Sequence, residues 1–230
     1  ANIHWDHLVS TLPVNRLLTL LPQVPPRLQQ AADVLEALPL ALVRPSTTEE
    51  VQAVVRACHR AGVPFVARGA GSGLSGGALP LEDAVVVGLM RMNRILEVDL
   101  DDRLAVVEAG VTNLAITREV EGEGFFYAPD PSSQLACMIG GNVNMNSGGA
   151  HCLKYGVTAN NLLGLKAVTV EGEVFAVGGK HLDAAGYDWL GLLTGSEGQL
   201  AVITEVTVRI LRGPEGARAM LAAFKSNEIA

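Results

Sequence analysis

The chain has 230 residues, with 24 acidic and 17 basic side chains for a formal charge of −7, and 49% apolar against 18% charged residues. That balance excludes a disordered chain, and the absence of clustered Lys and Arg excludes a phosphate-binding surface of the kind nucleic acids need. Glycine is in excess, 25 residues of 230 against an average of about 7%, which signals backbone that turns tightly or approaches a ligand closely.

The cysteines Cys58, Cys137 and Cys152 are odd in number and lack metal-type spacing, so they read as buried thiols in a reducing compartment. No metal site is expected. No run approaches the roughly 20 apolar residues of a membrane span, and residues 1–6 lack the basic start of a signal peptide. The expected location is the cytoplasm, with peripheral attachment to the inner membrane through partner subunits left open.

Residues 1–39 are poor in glycine and read as a helical appendage, because Leu28, Ala31, Ala32, Leu35 and Leu38 repeat at helical spacing. Residues 40–43 read as a strand. Thr47 followed by Glu50 is a capping box for a helix whose apolar stripe is Val51, Val54, Val55 and Cys58. Gly62 and Pro64 end that helix, and a strand at 65–67 runs into a glycine loop. Strands follow at 84–89, 95–99 and 104–108, then a helix at about 112–121 stopped by Gly122 and Gly124. After an irregular middle, 165–170 and 173–177 flank Glu171-Gly172 as a hairpin. A short helix near 189–193 precedes a strand at 201–211. Residues 219–224 read as the opening strand of a further domain. Strands that follow one another directly favour α+β over a doubly wound sheet. The expected division is 1–39, a main domain at 40–212 with lobes of about 40–100 and 101–212, and a linker with the start of a cut-off domain at 213–230.

Gly71-Ser72-Gly73-Leu74-Ser75-Gly76 matches G-x-G-x-x-G after a strand, with Asp99 downstream at the place of a ribose-binding acid. A dinucleotide fold needs a helix opening at the third glycine. Gly77-Ala78-Leu79-Pro80-Leu81 leads straight into the next strand, so no helix fits and that reading fails. What remains is a loop, Arg68 to Gly77, with five glycines in ten residues. Such a loop can turn successive N–H groups toward an anion without a helix. A second constellation, Pro129-Asp130-Pro131-Ser132-Ser133 with residues 139–149, is glycine- and amide-rich and nearly uncharged, which suits a flat heteroaromatic ligand. Lys154-Tyr155-Gly156 and Gly195-Ser196-Glu197-Gly198 are a third and a fourth.

In order, these stretches resemble the FAD-linked oxidases that include vanillyl-alcohol oxidase and p-cresol methylhydroxylase. More narrowly, they resemble the FAD subunit of glycolate oxidase and its D-lactate and D-2-hydroxyglutarate dehydrogenase relatives. The resemblance spans roughly residues 40–229. It implies an α+β, two-lobed FAD-binding domain of the p-cresol methylhydroxylase type, with most of the substrate (cap) domain absent. It also implies non-covalent FAD, since no His stands in the glycine loop where relatives tether the flavin. The implied reaction is oxidation of a 2-hydroxy acid, of glycolate or D-lactate type, to the 2-keto acid by hydride transfer to flavin N5. Other oxidase subunits are implied partners.

Carried over by motif, Arg68, Gly69, Ala70, Gly71, Ser72, Gly73, Leu74, Gly76 and Gly77 would hold the pyrophosphate. Pro129, Gly140, Gly141, Asn142, Gly148, Tyr155 and Gly156 would line the isoalloxazine and ribityl chain, and Asp130, Ser133, Ile139 and Asn146 would also bind the cofactor. Glu197, Gly198 and Ile203 would meet the adenine or the flavin edge. Asn144-Met145 stand where relatives usually carry smaller or acidic residues. No catalytic acid or base is assigned: His151 reads as a partly buried structural histidine, His59 as a surface residue, and Lys154 as the partner of a nearby carboxylate. Two alternatives stay open, a non-catalytic flavin or electron-transfer subunit of a complex, and the same domain acting on another alcohol.

Overall fold

The computed structural model describes residues 39–181 and 186–216, and single positions 223, 226 and 228. The expected helices before residue 39 and the expected strand at 219–224 lie outside the described residues.

A small lobe is built on three parallel strands in the order β1-β3-β2, with β1 at Ala41–Val43, β2 at Phe65–Arg68 and β3 at Val85–Gly88. Helix α1, Thr48–Ala61, links β1 to β2. Its start follows from side-chain chemistry. Thr47 accepts the Glu50 N–H, and the Glu50 carboxylate accepts from the N–H and hydroxyl of Ser46, one residue before the cap. This is a shifted version of the expected box, in which the acid would reach the Thr47 N–H itself. Gly62, at φ +65°, ends the helix in the left-handed region that glycine enters freely. Val51, Val55 and Cys58 are buried on one face, as the spacing predicts, and Val54 is partly buried.

The larger lobe is a five-stranded antiparallel sheet in the order β4-β5-β9-β7-β8. Its strands are β4 Ile95–Asp99, β5 Leu104–Glu108, β7 Leu162–Thr169, β8 Val174–Gly178 and β9 Ala201–Arg209. Ile95–Asp99, expected in the first lobe, pairs with β5 in this second sheet. The β7–β8 hairpin turns at Gly172, φ +83°. Helix α2, Asn113–Val120, follows β5, and a two-residue strand β6, Phe125–Phe126, pairs with β10, Leu211–Arg212. The expected last strand therefore divides: β9 stops at Arg209, and the following residues join a separate pair.

Three more helices complete the described fold: α3 Ile139–Met145, α4 Cys152–Tyr155 and α5 Trp189–Leu193. The first overturns the expectation of an irregular middle. Gly140, Gly141 and two asparagines have poor helix propensity, yet Ile139 and Val143, one turn apart, are both fully buried and anchor the helix to the core. Tertiary burial wins over local preference. One continuous core joins the lobes, from Val51 and Val55 of α1 and Val87 of β3 to Val107, Val168, Ile203 and Val206 of the larger sheet.

Candidate functional site: a glycine-walled cleft between the lobes

The long connection from β2 to β3 contains no helix, so the strand-to-helix phosphate site of a dinucleotide fold is absent there. The glycine loop instead faces α3 and the start of β9 across a cleft of about 430 Å³. No backbone N–H from Ala70 through Ala78 donates to another backbone group among the described residues. A run of nine amide donors is thus left for solvent or a ligand, whereas most backbone donors in folded proteins are paired. Arg68 lies under the loop: a Cβ on Gly71 would come 2.6 Å from its Nη2, and Gly71 also sits at φ +72°. The left-handed backbone at Gly71 is what requires glycine there, since the guanidinium end of Arg68 can move aside.

Helix α3 forms the opposite wall. Gly141, Asn144 and Met145 follow the i, i+3, i+4 rule and line the cleft, while Ile139 and Val143 point into the core. The two glycines of the Gly-Gly pair serve different ends. A Cβ on Gly140 would meet the Ala109 Cβ at 2.8 Å, so this glycine lets α3 press on the end of β5. A Cβ on Gly141 would meet nothing within 4 Å, because that face opens into the cleft.

The Gly195–Gly198 motif enters through backbone bonds to α3. The Gly195 N–H donates to the Val143 carbonyl and the Glu197 N–H to the Asn144 carbonyl, both at 2.9 Å. Gly195, Glu197 and Gly198 all have positive φ, at 79°, 56° and 78°. A non-glycine residue held in that region costs of order 1–3 kcal/mol, which the surrounding structure must offset. Beyond Glu197 and Gly198 the cleft continues into a second cavity of about 570 Å³, which shares Ala67 and Gly77 with it and is lined by Phe65, Val66 and Leu200. The two form one extended groove across the seam of the lobes.

Of the residues singled out from sequence, Arg68, Gly69, Ala70, Gly71, Ser72, Gly73, Leu74, Gly76, Gly77, Ser133, Gly140, Gly141, Asn142, Glu197, Gly198 and Ile203 line this cleft. Seven do not. Ile139 is wholly in the core. Asn146 caps α3 in the left-handed region, and its Oδ1 accepts the Ala159 N–H. Gly148 and Gly156 are close-packing positions, since a Cβ would overlap Cys152 in one case and Asn160 in the other. Pro129 is buried, with its carbonyl accepting from Asn113. Tyr155 packs edge-on against Phe126. Asp130 accepts from the His151 backbone and lies 2.7 Å from its Nδ1.

Three individual expectations are corrected. The His151 side chain is 62% exposed, not partly buried, with its ring paired to Asp130 and lying beside the Tyr155 ring. Lys154 has no carboxylate partner among the described residues and lies over the Tyr155 ring at 4.9 Å. Cys152 is half-buried, its sulfur accepting the Gly149 N–H. Among residues not singled out for the site, Asn144 carries a buried side-chain oxygen without a partner in the cleft wall. Reading 139–145 as a helix would have exposed it, one turn on from Gly141. No group of three or more potential metal ligands occurs among the described residues, and none of their helices is long and apolar enough to cross a membrane.

Residues 39–178 match the family described as FAD binding domain. The glycolate oxidase subunit GlcD of Escherichia coli strain K12 is 53% identical over 190 residues, 83% of this chain and 38% of that protein. A D-lactate dehydrogenase of Archaeoglobus fulgidus is 42% identical over 74% of this chain and 38% of its own length. A D-2-hydroxyglutarate dehydrogenase of Xanthomonas citri pv. viticola is 36% identical over 83% of this chain and 41% of its own. The chain thus spans about two fifths of the curated relatives it matches. Among solved structures, an alkyldihydroxyacetonephosphate synthase superposes on 77% of this chain with a TM-score of 0.68 and 26% identity, using 33% of its own chain.

Proposed function

From the premise that this chain belongs to the FAD binding domain family, we propose that it is the flavin-holding part of a dehydrogenase or oxidase of 2-hydroxy acids. FAD is its cofactor, and the residues present fit that group. The nine unpaired N–H groups of residues 70–78 and the Arg68 guanidinium suit a pyrophosphate, as charge-assisted bonds to phosphate are worth about 1.5–3 kcal/mol each. The flat, uncharged face of Gly141 suits a planar ring. The unpartnered Asn144 oxygen offers an acceptor to a ring N–H or a hydroxyl, and the second cavity extends the groove for a long dinucleotide. The free amides of the glycine loop carry this reading.

When bound, FAD supplies the two-electron acceptor that oxidises the alcohol carbon of the substrate. The part of this chain is to fix that group. The loop binds one end, α3 and the 195–198 turn set the position of the other, and the packed Gly140–Ala109 contact keeps the wall from shifting. Substrate carboxylate and hydroxyl need a cation and a proton acceptor within about 3 Å. Among the described residues, Arg68 and Glu197 are the charged residues that line the cleft, and both are assigned to the cofactor. Substrate handling is therefore proposed to come from outside the described residues. GlcD is named as a subunit, which supports assembly with partner subunits here.

Anaerobic mixing tests the proposal. In the complete protein that carries this domain, glycolate, D-lactate or D-2-hydroxyglutarate should bleach the flavin within seconds. Bleaching by a simple alcohol but by none of these acids would contradict the 2-hydroxy-acid reading. Reduction by none of these compounds, with dithionite still effective, would favour an electron-transfer role.

A further inference from the structure

We infer that Asn113 is a positioning residue for the cofactor, one that locks the Asn142 side-chain amide with its NH2 group turned toward the cleft. The inference rests on the FAD reading above. Asn113 is the first residue of α2 and is 2% exposed, and Asn142 sits on the first turn of α3 and is 3% exposed. The Asn113 Nδ2 lies 3.0 Å from the Pro129 carbonyl oxygen and 3.0 Å from the Asn142 Oδ1.

A backbone carbonyl only accepts, so the Asn113 atom facing it must be the nitrogen. That same nitrogen then requires an oxygen from Asn142, because two NH2 groups at this distance would oppose each other. The Cys137 sulfur, 3.7 Å from the same oxygen, can add a weak S–H donor. One invariant acceptor, the Pro129 carbonyl, thereby sets the orientation of two buried amides in series. The Asn142 NH2 is left with no acceptor in the hydrogen bonds of the described residues, on a residue that lines the cleft. It is a pair of donors held ready for an acceptor atom of the cofactor. Asn113 itself does not line the cleft, so its effect on the cofactor runs through Asn142.

The test is a double-mutant cycle read by FAD affinity. Apo-protein is titrated with FAD for wild type, Asn113→Ala, Asn142→Ala and the double variant. Each single change should raise Kd by about 10-fold, and the double variant should be no worse than either single one. Independent losses multiplying to about 100-fold, or an unchanged Kd in Asn113→Ala, would overturn the assignment. Should Asn113→Ala fail to fold, exchange of the side-chain NH2 protons in the wild-type protein decides. The Asn113 NH2 should be protected with and without FAD, and the Asn142 NH2 only with FAD. Protection of Asn142 in the apo-protein would overturn the inference. If the wild type binds no FAD, the cofactor reading falls and this inference with it. If it binds FAD but the cycle multiplies, only the role of Asn113 falls.

Discussion

At the scale of single residues, the glycines of the site divide by what a methyl group would meet. Gly140 is a packing glycine: its missing Cβ makes room for Ala109. Gly140→Ala should destabilise the fold by about 1–3 kcal/mol, the usual range for overpacking, and thermal unfolding of the apo-protein checks this. Gly141→Ala points into open space, so its apo-protein should melt with the wild type while its FAD affinity falls. Gly73 behaves like Gly141. It has no positive φ, and its Cβ would meet only the Met145 side chain at 4.0 Å, so Gly73→Val should fold yet take up little FAD. Equal FAD affinity in both cleft-facing variants would move the cofactor away from this wall. These glycines were legible as a class in the sequence. Their division into packing and ligand-facing positions was not, because it depends on Ala109 and Met145, which are distant in the chain.

At the scale of elements, α1 was the clearest prediction, since its cap, stripe and stop are all local. Its capping acid also predicts a pH dependence. The Glu50 carboxyl is held below its ordinary range, first by the Ser46 N–H, whose effect outweighs the opposing desolvation, and then by the Ser46 hydroxyl. A carboxyl depressed by folding stabilises above its unfolded pKa, and that contribution disappears as pH falls through the folded value. Acidification below about pH 4 should therefore lower Tm more in the wild type than in Glu50→Gln. Parallel curves would remove Glu50 as a source of stability. Helix α3 shows the opposite case. Its local residues argue against a helix, and the burial of Ile139 and Val143 in the core makes one. A helix of seven residues set by tertiary contacts leaves little periodicity to detect. Without that helix the sequence cannot separate Asn144, in the cleft wall, from Ile139, Asn146 and Gly148, which do not line the cleft.

At the scale of the whole molecule, the order of the four motifs carried more than any one of them. A single glycine motif pointed equally to a dinucleotide fold, and the lack of room for a helix after Gly76 decided against it. The two sheets then bring the glycine loop of the small lobe against α3 and the 195–198 turn of the larger one, so the groove exists only when both lobes are packed. The sequence could order these segments but could not show that Pro129, Tyr155 and Gly156 fall outside the cleft wall. With no His in the loop from Gly69 to Gly77, FAD is predicted to be held without a covalent link. Acid precipitation should leave the yellow colour in solution, and colour retained in the pellet would contradict this.

The most direct test of the account is titration of the apo-protein with FAD, following flavin fluorescence in wild type and Gly73→Val side by side. The account predicts one FAD per wild-type chain with a Kd below about 1 μM, equivalent to roughly 8 kcal/mol, and at least about a 10-fold loss in a variant whose circular dichroism is unchanged. No saturable binding by the wild type, or equal binding by a folded Gly73→Val, would contradict it.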